Sequence, residues 1–261
     1  MDFSLIITTY NSPEYLLLVL RSAENQTILP NEVIIADDGS TSDTRKKIEF
    51  YKNKTHLKII HSWQKDKGFR AAKSRNKALA KSKYDYIVMI DGDTILHPRF
   101  CEDHLNNSEY GFFIQGKRVF LSKNKSKQVL SSNKVNFSFF SFGFLNRING
   151  LHSIILSSLF TNKNTNLRGI KTCNMSFFRQ DCIDINGFNN EFEGWGKEDS
   201  EFIVRLFNNG IKRKNLRFSA VQFHLWHKVS SRESLKKNIS LLNASITRKS
   251  NWCDDGISQE L

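Results

Sequence analysis

Two aspartates bracket a glycine at Asp91-Gly92-Asp93, directly after the apolar run Tyr86–Ile90. Carboxylates at a sharp turn offer oxygen ligands to a hard divalent cation, Mg²⁺ or Mn²⁺, whose shell substrate phosphates complete. Asp-Gly is also ordinary turn chemistry, so a solvated turn is the alternative. His224-Leu225-Trp226-His227 is a second donor group. Its imidazoles suit Mn²⁺ better than Mg²⁺, although each could equally be packed or exposed. Glu198-Asp199, preceded by Gly194-Trp195-Gly196-Lys197, is a third group. Acids at a helix start offset the macrodipole. Beside an indole that can stack on a sugar, one of them could instead act as general base toward a hydroxyl. Its ordinary pKa, near 3.9, would leave it ionised at neutral pH without tuning. Asp37-Asp38-Gly39-Ser40 closes a turn or receives donors from a base and ribose. Arg70 and Arg75 either neutralise phosphate or form a solvated basic face.

These groups need a scaffold, and the first hundred residues supply its pattern. β-Branched runs at Ser4–Thr9, Glu32–Ala36, Leu57–His61 and Tyr86–Ile90 alternate with helical segments. Pro13 sits at a first helical position, Ser40 or Ser42 can cap a helix through Tyr51, and Ala71–Ser82 holds no breaker. Such alternation predicts an α/β fold whose mostly parallel sheet binds ligands at the carboxyl ends of its strands. Those ends carry Thr8-Thr9-Tyr10-Asn11, the Asp37–Ser40 cluster and Asp91-Gly92-Asp93.

Residues 104–168 lose the alternation and read as a variable, partly helical insertion with a basic stretch and a run of phenylalanines. A strand is expected at Thr172–Phe178, a helix over Glu198–Asn208 ended by Asn209-Gly210, a strand from Ala220, and a basic helical tail. The division this suggests is a first half of one domain (1–100), the insertion (101–170), a second half of the same domain (171–230) and the tail (231–261).

Composition narrows the classes. The chain has 261 residues, and 39 Lys+Arg against 26 Asp+Glu give a net charge of +13. That surplus attracts polyanions: nucleic acid, an anionic membrane face or phosphorylated substrates. Four cysteines without a C-x-x-C pair argue against structural zinc and suggest reduced thiols in the cytoplasm. Asp2 stands where a signal peptide would carry basic residues, and no run is long enough to span a bilayer, so membrane contact is expected to be peripheral. Neither G-x-G-x-x-G nor a P-loop is present, which disfavours dehydrogenases and P-loop NTPases.

The order Ile-Ile-Thr-Thr-Tyr-Asn, Val-Ile-Ile-Ala-Asp-Asp-Gly-Ser, Ser-Arg-Asn-Lys-Ala-Leu and Ile-Asp-Gly-Asp resembles glycosyltransferase family 2, with the GT-A fold. Cys-Asn-Met-Ser-Phe-Phe-Arg, Ile-Asn-Gly-Phe-Asn, Gly-Trp-Gly-Lys-Glu-Asp and His-Leu-Trp-His are similar to the carboxyl half of β-1,4-galactosyltransferases and chondroitin-type polymerases. The resemblance covers residues 3–100 and 170–228. It implies that Thr8, Tyr10 and Asp38 hold the uracil and ribose of a UDP-sugar, with Arg70 near the diphosphate. Asp91 and Asp93 would be the acidic motif, Asp93 a metal ligand, and His227, with His224, the rest of an Mn²⁺ (or Mg²⁺) shell. Asp199 would be the catalytic base, and Trp195 and Glu198 would line the acceptor sugar. The implied reaction is inverting transfer from a UDP-sugar to a glycan or glycolipid of the bacterial surface, with possible contact with an anionic membrane. Two departures bear on the acceptor: Lys197 replaces the Gly of animal galactosyltransferases, and Ser200 replaces a further acid.

Two other classes compete. A sugar-1-phosphate nucleotidyltransferase would carry a Gly-rich basic loop after its first strand, and Thr8–Ser12 has none. A nucleic-acid-binding protein fits the charge, but acidic clusters at the strand ends would repel a phosphate backbone. No nucleic-acid partner is expected.

Overall fold

The computed structural model describes residues 1–228 and 231–261. The alternation predicted for the first hundred residues is present: β1 (Phe3–Thr9), α1 (Pro13–Glu24), β2 (Glu32–Asp37), α2 (Ser42–Lys52), β3 (Ile59–Trp63), α3 (Ala71–Lys81) and β4 (Tyr86–Asp91). The cap of α2 differs from expectation. Thr41 occupies the N-cap position, whereas the Ser40 hydroxyl accepts the Asn11 amide and the Ser40 amide donates to Asp37. Ser40 thus ties two strand-end loops together.

After β4 come β5 (Thr94–Leu96), α4 (Phe100–Asn107), β6 (Phe112–Gln115), β7 (Val119–Phe120), α5 (Lys123–Ser132) and α6 (Ile154–Phe160), then β8 (Asn162–Asn164). The chain continues through β9 (Asn174–Phe178), α7 (Arg179–Ile183), α8 (Glu198–Asn208), β10 (Lys212–Asn215), β11 (Gln222–His224) and α9 (Leu235–Arg248). Gly210 follows α8 at φ 86°, as the Asn-Gly signal implies.

The central sheet runs β3-β2-β1-β4-β9-β6-β10-β8, and a small sheet runs β5-β11-β7. β3, β2, β1 and β4 are parallel, β9 is antiparallel to both neighbours, and β10 is parallel to β6. The segment read as an insertion therefore does not stand outside the sheet, since it contributes β6 and β8. Nor does the tail hang free. Ile257 is buried in the same apolar cluster as α3 and α8, and the Ile257 amide donates to Asn186. The boundary placed at residue 230 falls on the two residues outside the described set.

Alternate residues of the strands feed two cores. Leu5, Ile7, Val33 and Ile35 pack with α1 and α2, while Ile6, Ile34 and Met89 pack with α3 and α8. Covering both faces is why these strands read as continuous apolar runs. Among the described residues, no helix is long and apolar enough to cross a membrane. All four cysteines are buried thiols.

A buried polar chain crosses the centre of the sheet. Tyr86 and Ser176 are 2.7 Å apart, Ser176 and His104 Nδ1 2.7 Å, and His104 Nε2 and Asn174 3.0 Å. The Asn174 amide donates to the carbonyls of Lys117 and Ala220. Because Asn174 Oδ1 can only accept, the neutral His104 tautomer carries its proton on Nε2. Burial pushes the His104 pKa down to about 4. A histidine depressed in the folded state takes up protons first when unfolded. Its contribution is therefore whole above pH 6.5 and falls away as pH drops toward 4. Unfolding stability should decline by on the order of 3 kcal/mol across that window from this residue alone. Chemical denaturation from pH 7 to 4 should show this slope in the wild type and a flatter one in His104→Gln.

Candidate active site

Asp91 closes β4 beside Thr8 of β1, and the Thr8 hydroxyl donates to Asp91 Oδ1 at 2.8 Å. Gly92 then turns so tightly that its amide reaches the Thr8 carbonyl at 2.7 Å, where a Cβ would lie 2.6 Å from that oxygen. Only glycine fits there. Asp93 follows and is met by β11, whose register pairs His224 with Thr94. Leu225 fastens the return by donating to the Asp93 carbonyl. His227 Nε2 lies 3.1 Å and His224 Nε2 3.7 Å from Asp93 Oδ2. Among the described residues, Asp93, His224 and His227 form a cluster with ligand atoms within 4.8 Å of one another. Asp93 Oδ1 is buried without a partner.

The electrostatics follow from this crowding. Burial and the neighbouring Asp93 raise the Asp91 pKa, with Arg75 and Thr8 opposing. Burial also acts upward on Asp93, but the His227 hydrogen bond and the His224 charge outweigh it and hold Asp93 low. The same hydrogen bond lifts His227 to about 9.

Asp199 lies in the first turn of α8. It is entered through a turn with Gly194, Gly196 and Lys197 all at positive φ. Lys197, at φ 78°, occupies the position where the resemblance places glycine, so this chain carries left-handed strain of about 1–2 kcal/mol there. Burial and the adjacent Glu198 push Asp199 up to about 7. The expectation of an untuned aspartate is thereby corrected: the carboxylate is desolvated and crowded.

Arg75 joins the two acidic groups. Its guanidinium lies 3.1 Å from Glu198 and 3.9 Å from Asp91, with the side chain only 6% exposed. This excludes the solvated basic face, and it also engages Glu198. That carboxylate, expected to line an acceptor, pairs with Arg75 through Oε1, and its Oε2 has no partner. Trp195 keeps an outward position. It lines a cavity of about 210 Å³ with Phe69 and Ser234, and Arg232 stacks over it.

The nucleotide-side residues gather at the ends of β1, β2 and β3. Asp38 is buried and accepts the Arg70 amide at 2.6 Å and Gln64 at 2.5 Å. Tyr10 is exposed and its hydroxyl donates to Asp66. The Arg70 side chain donates to the Lys65 carbonyl. The Thr8 hydroxyl and Asp38 are thus committed to protein partners, while the Tyr10 ring remains exposed. The sequence marks Arg118 only as part of a basic stretch and does not mark Lys171 at all. Arg118 contacts Cys173 and acts on Asp91 and Asp93, and Lys171 acts on Asp199. No local motif marks either one.

The fold is GT-A-like α/β, and the family match defines a glycosyltransferase. The chain belongs to glycosyl transferase family 2, whose family model matches residues 4–182. A second model, described as the N-terminal domain of galactosyltransferase, matches residues 154–228. The chain is 31% identical over 231 residues to hyaluronan synthase of Pasteurella multocida, covering 80% of this chain and 23% of that protein. It is 25% identical to chondroitin synthase of Escherichia coli, covering 85% of this chain and 34% of that one. It therefore spans about a quarter to a third of these relatives' length. The structure of S. aureus TarS residues 1–349 superposes with a TM-score of 0.63 at 20% identity, covering 100% of this chain and 68% of that one.

Removing Arg75 should leave Asp91, Glu198 and Asp199 repelling one another. Arg75→Gln is expected to cost about 3–5 kcal/mol in denaturant unfolding. Adding Glu198→Gln to that variant should recover part of the loss, whereas additive losses would show that the two side chains are not coupled.

Proposed function

We propose that the chain carries out metal-dependent, inverting transfer of a hexose or N-acetylhexosamine from a UDP-sugar to a sugar hydroxyl of a bacterial surface glycan. The product would be a β-linked unit of lipopolysaccharide core, O-antigen or capsule. The observation that carries this reading is the meeting of a desolvated Asp199 with the Asp93–His224–His227 cluster at one sheet end, with Arg75 between Asp91 and Glu198. Relatives named for hyaluronan and chondroitin synthesis, and TarS structures in complex with UDP and UDP-GlcNAc, support the donor and acceptor classes.

The donor set fits a divalent cation, Mn²⁺ (or Mg²⁺). It combines one carboxylate with two imidazoles, and Asp93 Oδ1 is a buried acceptor awaiting a partner. A cation held by Asp93, His227 and His224 would supply charge neutralisation for the departing diphosphate. The protein does the rest. Thr8 fixes Asp91 in place, and Tyr10 offers its exposed ring to the base. Trp195 offers its indole to the acceptor ring. Asp199 takes the acceptor hydroxyl proton as that oxygen attacks the anomeric carbon opposite the leaving UDP, so an α-linked donor yields a β-linkage. Desolvation makes Asp199 the stronger base for this step.

The test is UDP release from UDP-galactose, UDP-glucose, UDP-GlcNAc and UDP-GalNAc, with Mn²⁺, Mg²⁺ or EDTA. Turnover of one donor, abolished by EDTA, is expected. Asp199→Asn should lower transfer by about 10²–10⁴ while UDP binding persists. Because the base acts deprotonated, kcat/KM should fall about tenfold per unit below a pH of about 7. Absence of turnover together with absence of UDP–Mn²⁺ binding by calorimetry would overturn the reading.

A cytoplasmic protein resting on an anionic membrane surface is the location we propose. Phe140, Phe142, Ile154, Ile155 and Leu159 are exposed in a chain of net charge +13. Sedimentation with anionic vesicles at low salt should pull the protein down, less so at high salt, and Ile155→Asp should weaken it. No binding at low salt would discard this contact.

A further inference from the structure

We propose that a basic recess at the outer end of the same sheet edge is an oxyanion subsite, taking a carboxylate or phosphate on a unit of the acceptor glycan beyond the reacting sugar. The proposal rests on the acceptor-glycan reading above for its purpose, but its physical case is separate. The recess has a volume of about 390 Å³ and is lined by Lys117, Arg168, Arg213, Asn164, Asn166 and Asn215, among others.

Its position follows from strand register. β9 pairs Asn174 with Ile90 beside Asp91, β6 pairs Gln115 with Met175, and β10 pairs Asn215 with Gln115. The ends of β4, β6 and β10 and the start of β9 therefore lie along one edge. Two links join the recess to the catalytic groups. Lys117 and Arg118 are consecutive: Arg118 contacts Cys173 and acts on Asp91 and Asp93, while Lys117 lines the recess. The Gln115 side chain holds the Lys171 backbone by two hydrogen bonds, at 2.9 and 3.0 Å, and the Lys171 charge acts on Asp199.

The charge arrangement calls for an anion. Arg213 is 3% exposed, yet all its partners are neutral: the carbonyls of Asn166 and Arg168 and the Asn215 side chain. Its Nε is buried with no partner. The charged groups acting on Lys117 are Arg213 and Arg217, both of its own sign, and together with burial they lower its pKa. The nearby lysines are treated differently, since Lys163 and Lys214 both pair with Glu109. Cations gathered in a recess without a carboxylate carry a desolvation and repulsion cost that a bound oxyanion would offset. Guanidinium forks match carboxylate and phosphate oxygens, and the surrounding amides suit sugar or polyol hydroxyls.

The experiment titrates the full chain, without donor or metal, with D-glucuronate, glycerol 1-phosphate and neutral methyl glucoside, read by NMR shifts. One of the two anions should bind at least about tenfold more tightly than methyl glucoside, and Lys117→Gln should weaken it about tenfold. Lys46→Gln, the same charge change at an exposed lysine elsewhere, should not. Because Arg213 braces the 166–168 backbone, the second variant is Arg168→Gln at the exposed rim, which should also weaken the preferred anion. Preference for glucuronate assigns a uronic acid unit, and preference for glycerol 1-phosphate assigns a polyol phosphate. Equal binding of all three probes, or an equal loss in Lys46→Gln, overturns the subsite. UDP release needs none of these probes, so either reading can fail alone.

Discussion

Four carboxylates meet at one end of the central sheet, and Arg75 is the cation that lets them remain there. It is buried between Asp91 and Glu198 and also feels Asp199. Without a cation among them, that many desolvated acids would protonate or push the strand and helix apart. With it, the pKa values diverge: Asp93 stays low beside its histidines, while Asp199 rises to about 7. Divergent pKa values among neighbouring acids divide the roles, one group suited to holding charge and another to moving a proton. Two imidazoles hold Asp93 low, while burial and the adjacent Glu198 lift Asp199 against the opposing charges of Lys171 and Arg75.

The scaffold matters because no local segment contains the site. Asp91 is set by the β1–β4 register, Asp93 by a turn that only Gly92 can make, and His224 by a second small sheet. Asp199 arrives on α8, whose opposite side buries Phe202, Ile203 and Leu206. The strained Lys197 and the close fit of Gly194 against Ser234 fix where that helix begins. Asn238 of α9 donates to the Glu193 and Gly196 carbonyls, so the tail braces this strained turn.

The same edge continues outward into the basic recess. The ends of β4, β6 and β10 and the start of the antiparallel β9 lie along it, with the acidic groups beside β4 and the recess beside β10. Arg118 facing the acids and Lys117 facing the recess show how one extended segment serves both.

The sequence by itself determined the β1-to-β4 alternation, the limits of α8, and the residue types of the site. Continuous β-branched runs, a helical apolar stripe and Asn209-Gly210 are local signals that need no partner to be read. It did not reveal β8 or β10, because Asn162–Asn164 and Lys212–Asn215 are polar and become strands only by pairing with neighbours. Nor did it show that the Thr8 hydroxyl binds Asp91, that Glu198 turns to Arg75, or that Asp199 is tuned. Those outcomes depend on desolvation and on charges brought together from distant segments, and only the tertiary structure sets both.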